Sequence, residues 1–167
     1  TRGDYWLFNR KDNSLRQLGV EKPESSLMFT KFSPAGDHVA YVSRNNIYVE
    51  EISSGKTQAL TKDGSTTLIN GTFDWAYEEE FSCRDGFRWS PNGAIIAYWQ
   101  VDASEIGNFY MINNTDSNYA ELIPVQYPKV GVSPSACRLK TVEVGTGKIV
   151  DIAIPGDPKE NYLPRMQ

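Results

Sequence analysis

The chain of 167 residues has 17 basic and 21 acidic side chains, a net charge of −4, and 40% hydrophobic and 12% aromatic residues. This composition supports a buried core in one or two modest domains and excludes general disorder. No cluster of Lys and Arg is present to displace the counterions of a nucleic acid. The longest apolar run, 94–99, is far shorter than the roughly 20 residues of a membrane helix. We therefore expect neither a nucleic-acid partner nor a membrane span on this chain.

Short segments rich in β-branched and aromatic residues follow one another along the chain, and helical periodicity is nearly absent. Turn-forming residues join successive segments at 11–14, 53–56 and 145–148, which predicts β-hairpins. The predicted hairpins pair 5–8 with 15–18, 48–52 with 57–60, and 139–144 with 149–154.

One pattern occurs twice in the chain: aromatic-Ser-Pro-x-Gly-x-x-aliphatic-Ala-Tyr. It begins at Phe32 and again at Trp89. Proline presets the backbone at the second position of a turn, and glycine supplies a positive φ, so each copy predicts strand, tight turn and strand. Repeated four-stranded units are typical of a β-propeller. A β-sandwich would explain the strands but not the repeat. We therefore predict an all-β fold made of antiparallel four-stranded blades of a partial β-propeller.

The length of the chain suffices for about three to four blades of 40–50 residues each. Its two ends lie inside strand patterns, which predicts that residues 1–167 are a fragment of a larger propeller. Such a fragment leaves strand edges unpaired, and unpaired edges are templates for association. We expect the isolated chain to form a homodimer through an open edge or to rearrange its terminal strands.

Residues 72–81, the acidic segment, carry three consecutive glutamates bracketed by aromatic side chains. A strand would turn every second glutamate toward the core, whereas Asp74 can cap a short helix. At about 100° per residue, Glu79 and Glu80 can share one side of that helix while Glu78 points elsewhere. The sequence therefore predicts a short helical insertion between blades. A solvated acidic loop with the aromatic side chains tucked beneath it is the alternative.

The chain shows no catalytic constellation of its own. His38 is the single histidine, and GxSxG and CxxC strings are absent, so we expect no catalytic triad, no metal and no cofactor. Gly145-Thr146-Gly147 lacks the third glycine of a dinucleotide-binding loop and is typical of a hairpin turn. We expect Cys83 and Cys137 to be buried or unpaired thiols rather than a disulfide.

Three strings resemble the dipeptidyl peptidase IV family of the prolyl oligopeptidase clan: Asp74-Trp75-Ala76-Tyr77-Glu78-Glu79-Glu80, Arg84 to Gly93, and Tyr127-Pro128-Lys129-Val130-Gly131. The resemblance covers essentially the whole chain, with further matches at 97–100 and 112–117. It implies an eight-bladed propeller above an α/β-hydrolase domain that carries a Ser-Asp-His triad. This chain would supply the middle of that propeller, and the hydrolase domain would be its partner.

Position by position, the resemblance assigns Glu79 and Glu80 as the pair that binds the free N-terminal ammonium of a peptide substrate. The residues expected to support this pair are Asp74, Trp75, Tyr77 and Glu78. The implied function is the substrate-anchoring segment of a serine dipeptidyl aminopeptidase that releases X-Pro or X-Ala dipeptides. The implied location is the periplasm, the cell surface or the exterior. The alternative is a non-catalytic, propeller-like module that binds proteins, because some members of the clan have lost the triad.

Overall fold

The computed structural model describes residues 2–166, within which lie thirteen strands and one short helix. The elements in chain order are β1 (Trp6–Asn9), β2 (Ser14–Gln17), β3 (Leu27–Phe32), β4 (His38–Ser43), β5 (Asn46–Glu51), β6 (Thr57–Ala59), β7 (Leu68–Asn70), α1 (Trp75–Phe81), β8 (Phe87–Trp89), β9 (Ile95–Asp102), β10 (Asn108–Asn113), β11 (Glu121–Gln126), β12 (Ala136–Glu143) and β13 (Ile149–Ile152).

Antiparallel pairing groups these strands into two larger sheets and two hairpins. The first sheet has the order β3-β4-β5-β6. The second sheet has the order β13-β12-β9, and the far edge of β9 pairs with both β7 and β8. The pairs β1–β2 and β10–β11 are separate two-stranded hairpins. The predicted all-β class is confirmed, with one short helix inside the acidic segment; the number of blades stays a prediction.

The three hairpins predicted from turn residues are present as β1–β2, β5–β6 and β12–β13, with strand ends displaced by up to three residues. The β10–β11 hairpin is an additional element, inserted between β9 and β12 of the second sheet.

The repeated Ser-Pro-x-Gly turns have the same hydrogen bonds in both sheets. The Ser33 carbonyl accepts from the Gly36 N–H at 2.9 Å, and the Ser90 carbonyl accepts from the Gly93 N–H at 2.9 Å. Both glycines have positive φ, 73° and 71°, as the pattern predicted. Each serine hydroxyl oxygen also accepts from the first backbone N–H of the following strand, at 3.1 Å and 3.0 Å. The side chain and the glycine together fix the reversal of the chain.

The two larger sheets pack face to face through alternate residues of their strands. Ala40 and Val42 of β4 point toward the second sheet and join a cluster with Ile96 and Tyr98 of β9. Because successive side chains of a strand point to opposite faces, Val39 and Tyr41 lie on the other face of the first sheet. There they pack with Leu18, which follows β2, and with Leu27. The first sheet is therefore buried on both faces, as a blade inside a stack is.

Candidate functional site

Residues 71–86, the insertion, leave the second sheet and return to it at one point. β7 pairs with residues 100–102 of β9, and β8 pairs with residues 96–98. Trp99 is therefore the one residue of β9 that lies between the two paired stretches, opposite the point where the insertion begins and ends. The Gly71 N–H donates to the Trp99 carbonyl at 3.0 Å, and the Trp99 N–H donates to the Gly86 carbonyl at 3.1 Å. The Gly86 N–H donates to the Gly71 carbonyl at 3.0 Å and closes the base of the insertion. The acidic segment therefore projects from the interrupted edge strand of the second sheet.

Helix α1 begins and ends with specific caps. The Asp74 Oδ1 accepts from the Tyr77 N–H at 3.1 Å, which confirms the predicted N-cap. The other carboxylate oxygen, Oδ2, accepts from the Ser135 hydroxyl at 2.6 Å, so the cap is held from a segment far along the chain. At the other end, Ser82 adopts the left-handed conformation with φ of 54° and stops the helix.

Tyr77 fixes the helix on the sheet. It is almost completely buried, and its ring stacks on Phe73 with centroids 5.2 Å apart. Its hydroxyl oxygen accepts from the Leu163 N–H at 3.1 Å. The indole N–H of Trp99 donates to the carbonyl of the same Leu163 at 2.8 Å. The C-terminal segment is thereby bound across the buried side of α1. Burial raises the pKa of the Tyr77 phenol far above its ordinary value, which keeps this acceptor neutral.

Trp75, the first residue of the helix, connects the insertion with the β10–β11 hairpin. Its ring meets Tyr127 edge-on, with centroids 4.5 Å apart. The Tyr127 ring in turn lies against the ring of Phe109 in β10, with centroids 6.3 Å apart. The backbone N–H of Tyr127 donates to the Gly107 carbonyl at 3.0 Å. Trp75 therefore packs on the outer flank of the helix, while Tyr77 packs beneath it.

The three glutamates differ in exposure. Glu78 lies in the first turn and is half-buried, whereas Glu79 and Glu80 are exposed in the second half of the helix. Among residues 2–166, neither exposed carboxylate has a hydrogen-bond or ion-pair partner. The last turn contains no basic side chain. Since the C-terminal end of a helix carries partial negative charge, it adds to the negative charge of the two carboxylates.

A cavity of about 440 Å³ lies beyond the end of the helix and is lined by Phe73, Phe81, Ser82, Cys83, Arg84, Asp85, Arg88, Trp99, Pro164, Arg165 and Met166. Phe81, the residue after Glu80, belongs to the lining, but neither Glu79 nor Glu80 contributes to it. The structure thus presents the two glutamates on an exposed helix surface beside the cavity.

The two cysteines are free thiols on the buried side of the insertion. Cys137 is 3% exposed, and burial raises its pKa to about 11, against a smaller lowering by the neighbouring Tyr77 hydroxyl. Burial also raises the pKa of the half-buried Cys83. Both thiols are therefore protonated and poorly nucleophilic near neutral pH.

Within the described residues, no group of three or more His, Cys, Asp and Glu side chains could hold a metal ion. Across residues 2–166, none of the helices has the length and apolar character required to cross a membrane. Two contributors to the site have no recognisable signal in the sequence, the Ser135 hydroxyl and the backbone of Leu163. Both reach the helix only through tertiary contacts.

The stacked antiparallel sheets, the repeated turns and the helical insertion define this chain as part of a β-propeller domain. Residues 1–167 match the profile of the dipeptidyl peptidase IV (DPP IV) N-terminal region, and the chain belongs to this family. The predicted family membership is thereby confirmed.

Individual relatives agree with this assignment. Dipeptidyl aminopeptidase B of Saccharomyces cerevisiae is 33% identical over 168 residues, which cover 98% of this chain and 20% of the yeast protein. A probable dipeptidyl-aminopeptidase B of Chaetomium globosum is 29% identical over 164 residues, covering 91% of this chain and 18% of the fungal protein. The chain thus spans about a fifth of the length of these curated relatives.

Two crystal structures show the same fold. That of Porphyromonas gingivalis dipeptidyl peptidase 4 superposes with a TM-score of 0.89 at 29% identity, covering 99% of this chain and 24% of that protein. That of a putative dipeptidyl aminopeptidase IV from Bacteroides ovatus gives a TM-score of 0.72 at 25% identity, covering 96% of this chain and 21% of that protein.

Proposed function

We propose that this chain is the segment of a serine dipeptidyl aminopeptidase that anchors the free N-terminal ammonium of a peptide between Glu79 and Glu80. The observation that carries the proposal is a pair of exposed carboxylates, without a hydrogen-bond or ion-pair partner among residues 2–166, at the C-terminal end of a helix that is capped and packed on its other side. The rigid support suits a binding role, because a site must be held in place before its ligand arrives.

An N-terminal ammonium matches this pair in charge and in hydrogen-bonding capacity. A peptide α-amine has a pKa of about 7.7–8.0 and is a cation in neutral solution. Two carboxylates offer acceptors for its three N–H donors, and such charge-assisted bonds are stronger than neutral ones. A unit charge pair at about 4 Å gains roughly 4 kcal/mol at an effective dielectric near 20, before desolvation is subtracted.

The anchor also explains why dipeptides would be released. Two extended residues span about 7 Å, so a fixed ammonium sets the distance at which the second peptide bond meets a nucleophile. A peptide without a free N-terminus would lack the cation and would be rejected. The preference for Pro or Ala at the second position, the nucleophile on an α/β-hydrolase domain, and export to a periplasm or surface belong to the same proposal and rest on the family.

The test replaces each glutamate by its neutral isostere in the full-length protein that contains this chain. Glu79→Gln and Glu80→Gln should each lower kcat/KM for an X-Pro chromogenic substrate by about 100-fold or more, since 1.4 kcal/mol corresponds to tenfold. The matched control is Glu24→Gln, because Glu24 is exposed and lies outside the insertion; this variant should change kcat/KM by less than threefold.

Equal activity of wild type, Glu79→Gln and Glu80→Gln would refute the anchoring role. A second measurement addresses the alternative function. Calorimetric titration compares an X-Pro-X tripeptide with its N-acetylated form, and the proposal expects binding of the free form alone. A wild-type protein that binds the free tripeptide but cleaves nothing would instead be a non-catalytic binding module.

A further inference from the structure

One ion pair joins the insertion to the first sheet. Lys31 lies on β3, and its Nζ lies 2.5 Å from the Asp85 Oδ1 and 2.5 Å from the Phe87 carbonyl oxygen. The same ammonium stands 3.8 Å above the centroid of the Phe87 ring. Asp85 belongs to the insertion and Phe87 opens β8 of the second sheet. We name this contact the cross-sheet pair.

A β-bulge directs Lys31 toward the insertion. β3 pairs Met28 with Val42 and then Lys31 with Ala40, so two residues of β3 oppose the single Tyr41 of β4. Within that bulge Phe29 has a positive φ of 56°. Without the extra residue, Lys31 would pair with Val39, whose side chain faces away from the second sheet. Because residues opposite each other in an antiparallel pair share a face, the bulge moves Lys31 to the face that meets the insertion.

The cross-sheet pair is more than a surface contact. The Lys31 side chain is only 26% exposed, and burial lowers the pKa of its ammonium, an effect that the neighbouring Asp85 partly opposes. An apolar side chain would pack on the Phe87 ring at a lower cost in desolvation. The Asp85 side chain is 38% exposed, so the pair is only partly buried; such a pair adds little stability, and its main effect is to fix a geometry.

The geometry that it fixes is that of the helix end. Asp85 follows the cap residue Ser82 by three positions and directly precedes Gly86, where the insertion rejoins the sheet. A second ion pair, from the Arg88 Nη1 to the Asp85 Oδ2 at 3.2 Å, holds the same carboxylate from the other side. Movement of Asp85 would pass through this short segment to Glu80.

We propose that Lys31 is a positioning residue, whose ion pair with Asp85 holds Glu79 and Glu80 where one ammonium can reach both. This inference rests on the proposed function above. A clamp made of two carboxylates is sensitive to displacement, because an error near 1 Å can cost a factor of about 100 in rate. The cross-sheet pair fixes Asp85, three residues after the cap of the helix, to Lys31 of the first sheet beside Phe87 of the second, and limits that displacement.

The test uses the full-length protein with Lys31→Met, which keeps the apolar stem on Phe87 and removes the charge. We expect KM for an X-Pro chromogenic substrate to rise about tenfold, with kcat within threefold of wild type. Lys31→Arg should restore at least half of the lost kcat/KM. Asp85→Asn, which also removes the Arg88 pair, should raise KM at least as much as Lys31→Met does. Adding Lys31→Met to Asp85→Asn should change KM by no more than twofold, since the Lys31–Asp85 contact is then already broken.

The matched control is Lys140→Met. Lys140 has a side chain 17% exposed and pairs with Asp151 at 3.2 Å, but it lies on β12 away from the insertion. The KM of the Lys140→Met variant should equal that of the wild type. A further readout is the rate at which a small sulfonyl fluoride without an amine sulfonylates the proposed serine, with loss of fluoride; this rate should stay within twofold in every variant.

The outcomes separate this inference from the proposed function. Loss of activity in Glu79→Gln and Glu80→Gln, with an unchanged KM in Lys31→Met and Asp85→Asn, would overturn the positioning role alone. Full activity in the two glutamate variants would overturn both proposals. Slower sulfonylation in Lys31→Met, or an equal rise of KM in Lys140→Met, would also overturn the positioning role, because the effect would then be general.

Discussion

Replacing Gly86 by alanine tests whether the two ends of the insertion require their close approach. A Cβ at residue 86 would lie 2.6 Å from the Gly71 carbonyl carbon and 2.7 Å from the Thr72 nitrogen. Ordinary contacts begin near 3.4 Å, so the two backbone segments must separate by roughly 0.8 Å. Such a shift disrupts the Gly86 N–H to Gly71 carbonyl bond, now 3.0 Å. Overpacking costs about 1–3 kcal/mol, and the lost bond about 1 kcal/mol more.

The assay is urea denaturation, with Gly107→Ala as the matched control. A Cβ at Gly107 would meet nothing within 4 Å, so this change should be neutral or stabilise by up to about 1 kcal/mol. A loss of about 2–4 kcal/mol in Gly86→Ala lowers the midpoint by about 1–2 M if the slope is near 2 kcal/mol/M. Trypsin should also cleave the Gly86→Ala variant faster after the exposed Arg84. Equal midpoints for the two alanine variants would show that the insertion does not depend on this close approach.

Two further predictions concern buried ionisable groups. Glu50 is 2% exposed, pairs with Arg16 and accepts from the Gly19 N–H at 2.8 Å. Glu50→Ala should cost about 2–4 kcal/mol in urea titrations, whereas Lys159→Ala, which removes an exposed pair, should cost less than about 1 kcal/mol; similar losses in both variants would contradict the burial argument. The second prediction follows from the pKa of Cys137, which burial raises to about 11. Because the folded protein holds this proton more tightly than the unfolded chain, the stabilisation is complete below about pH 9 and is lost as the pH rises to about 11, by roughly 3 kcal/mol. Cys137→Ala should lessen the fall of the urea midpoint across that window, and a flat wild-type profile would contradict this interpretation.

Local patterns in the sequence were sufficient for the repeated turns, three of the hairpins and the helix, but not for the β10–β11 hairpin. A Ser-Pro-x-Gly turn depends on four neighbouring residues, and the cap at Asp74 depends on the next three. These features are determined by residues within one short segment, so they can be predicted without knowledge of the rest of the fold. The two glutamates were identified through the string around them rather than through their chemistry.

The supports of the site could not be predicted, because they join residues distant in sequence. Ser135 reaches Asp74 across 61 positions, and the Leu163 N–H reaches the Tyr77 hydroxyl across 86. The bulge that redirects Lys31 is equally hidden, since it is defined only by the register of β3 against β4. The division of one edge between β7 and β8 likewise emerges from pairing with β9.

The insertion leaves and rejoins the second sheet opposite a single residue, Trp99. β7 and β8 therefore pair with adjacent stretches of β9, 100–102 and 96–98. The length of the inserted peptide is thus decoupled from the pairing of the sheet, and lengthening a loop adds little closure entropy. A different peptide that keeps Phe73 and Tyr77, which are buried with Trp99, could be grafted between residues 71 and 86 without a change in strand pairing. Such a scaffold would let recognition diversify while the architecture beneath it stays constant.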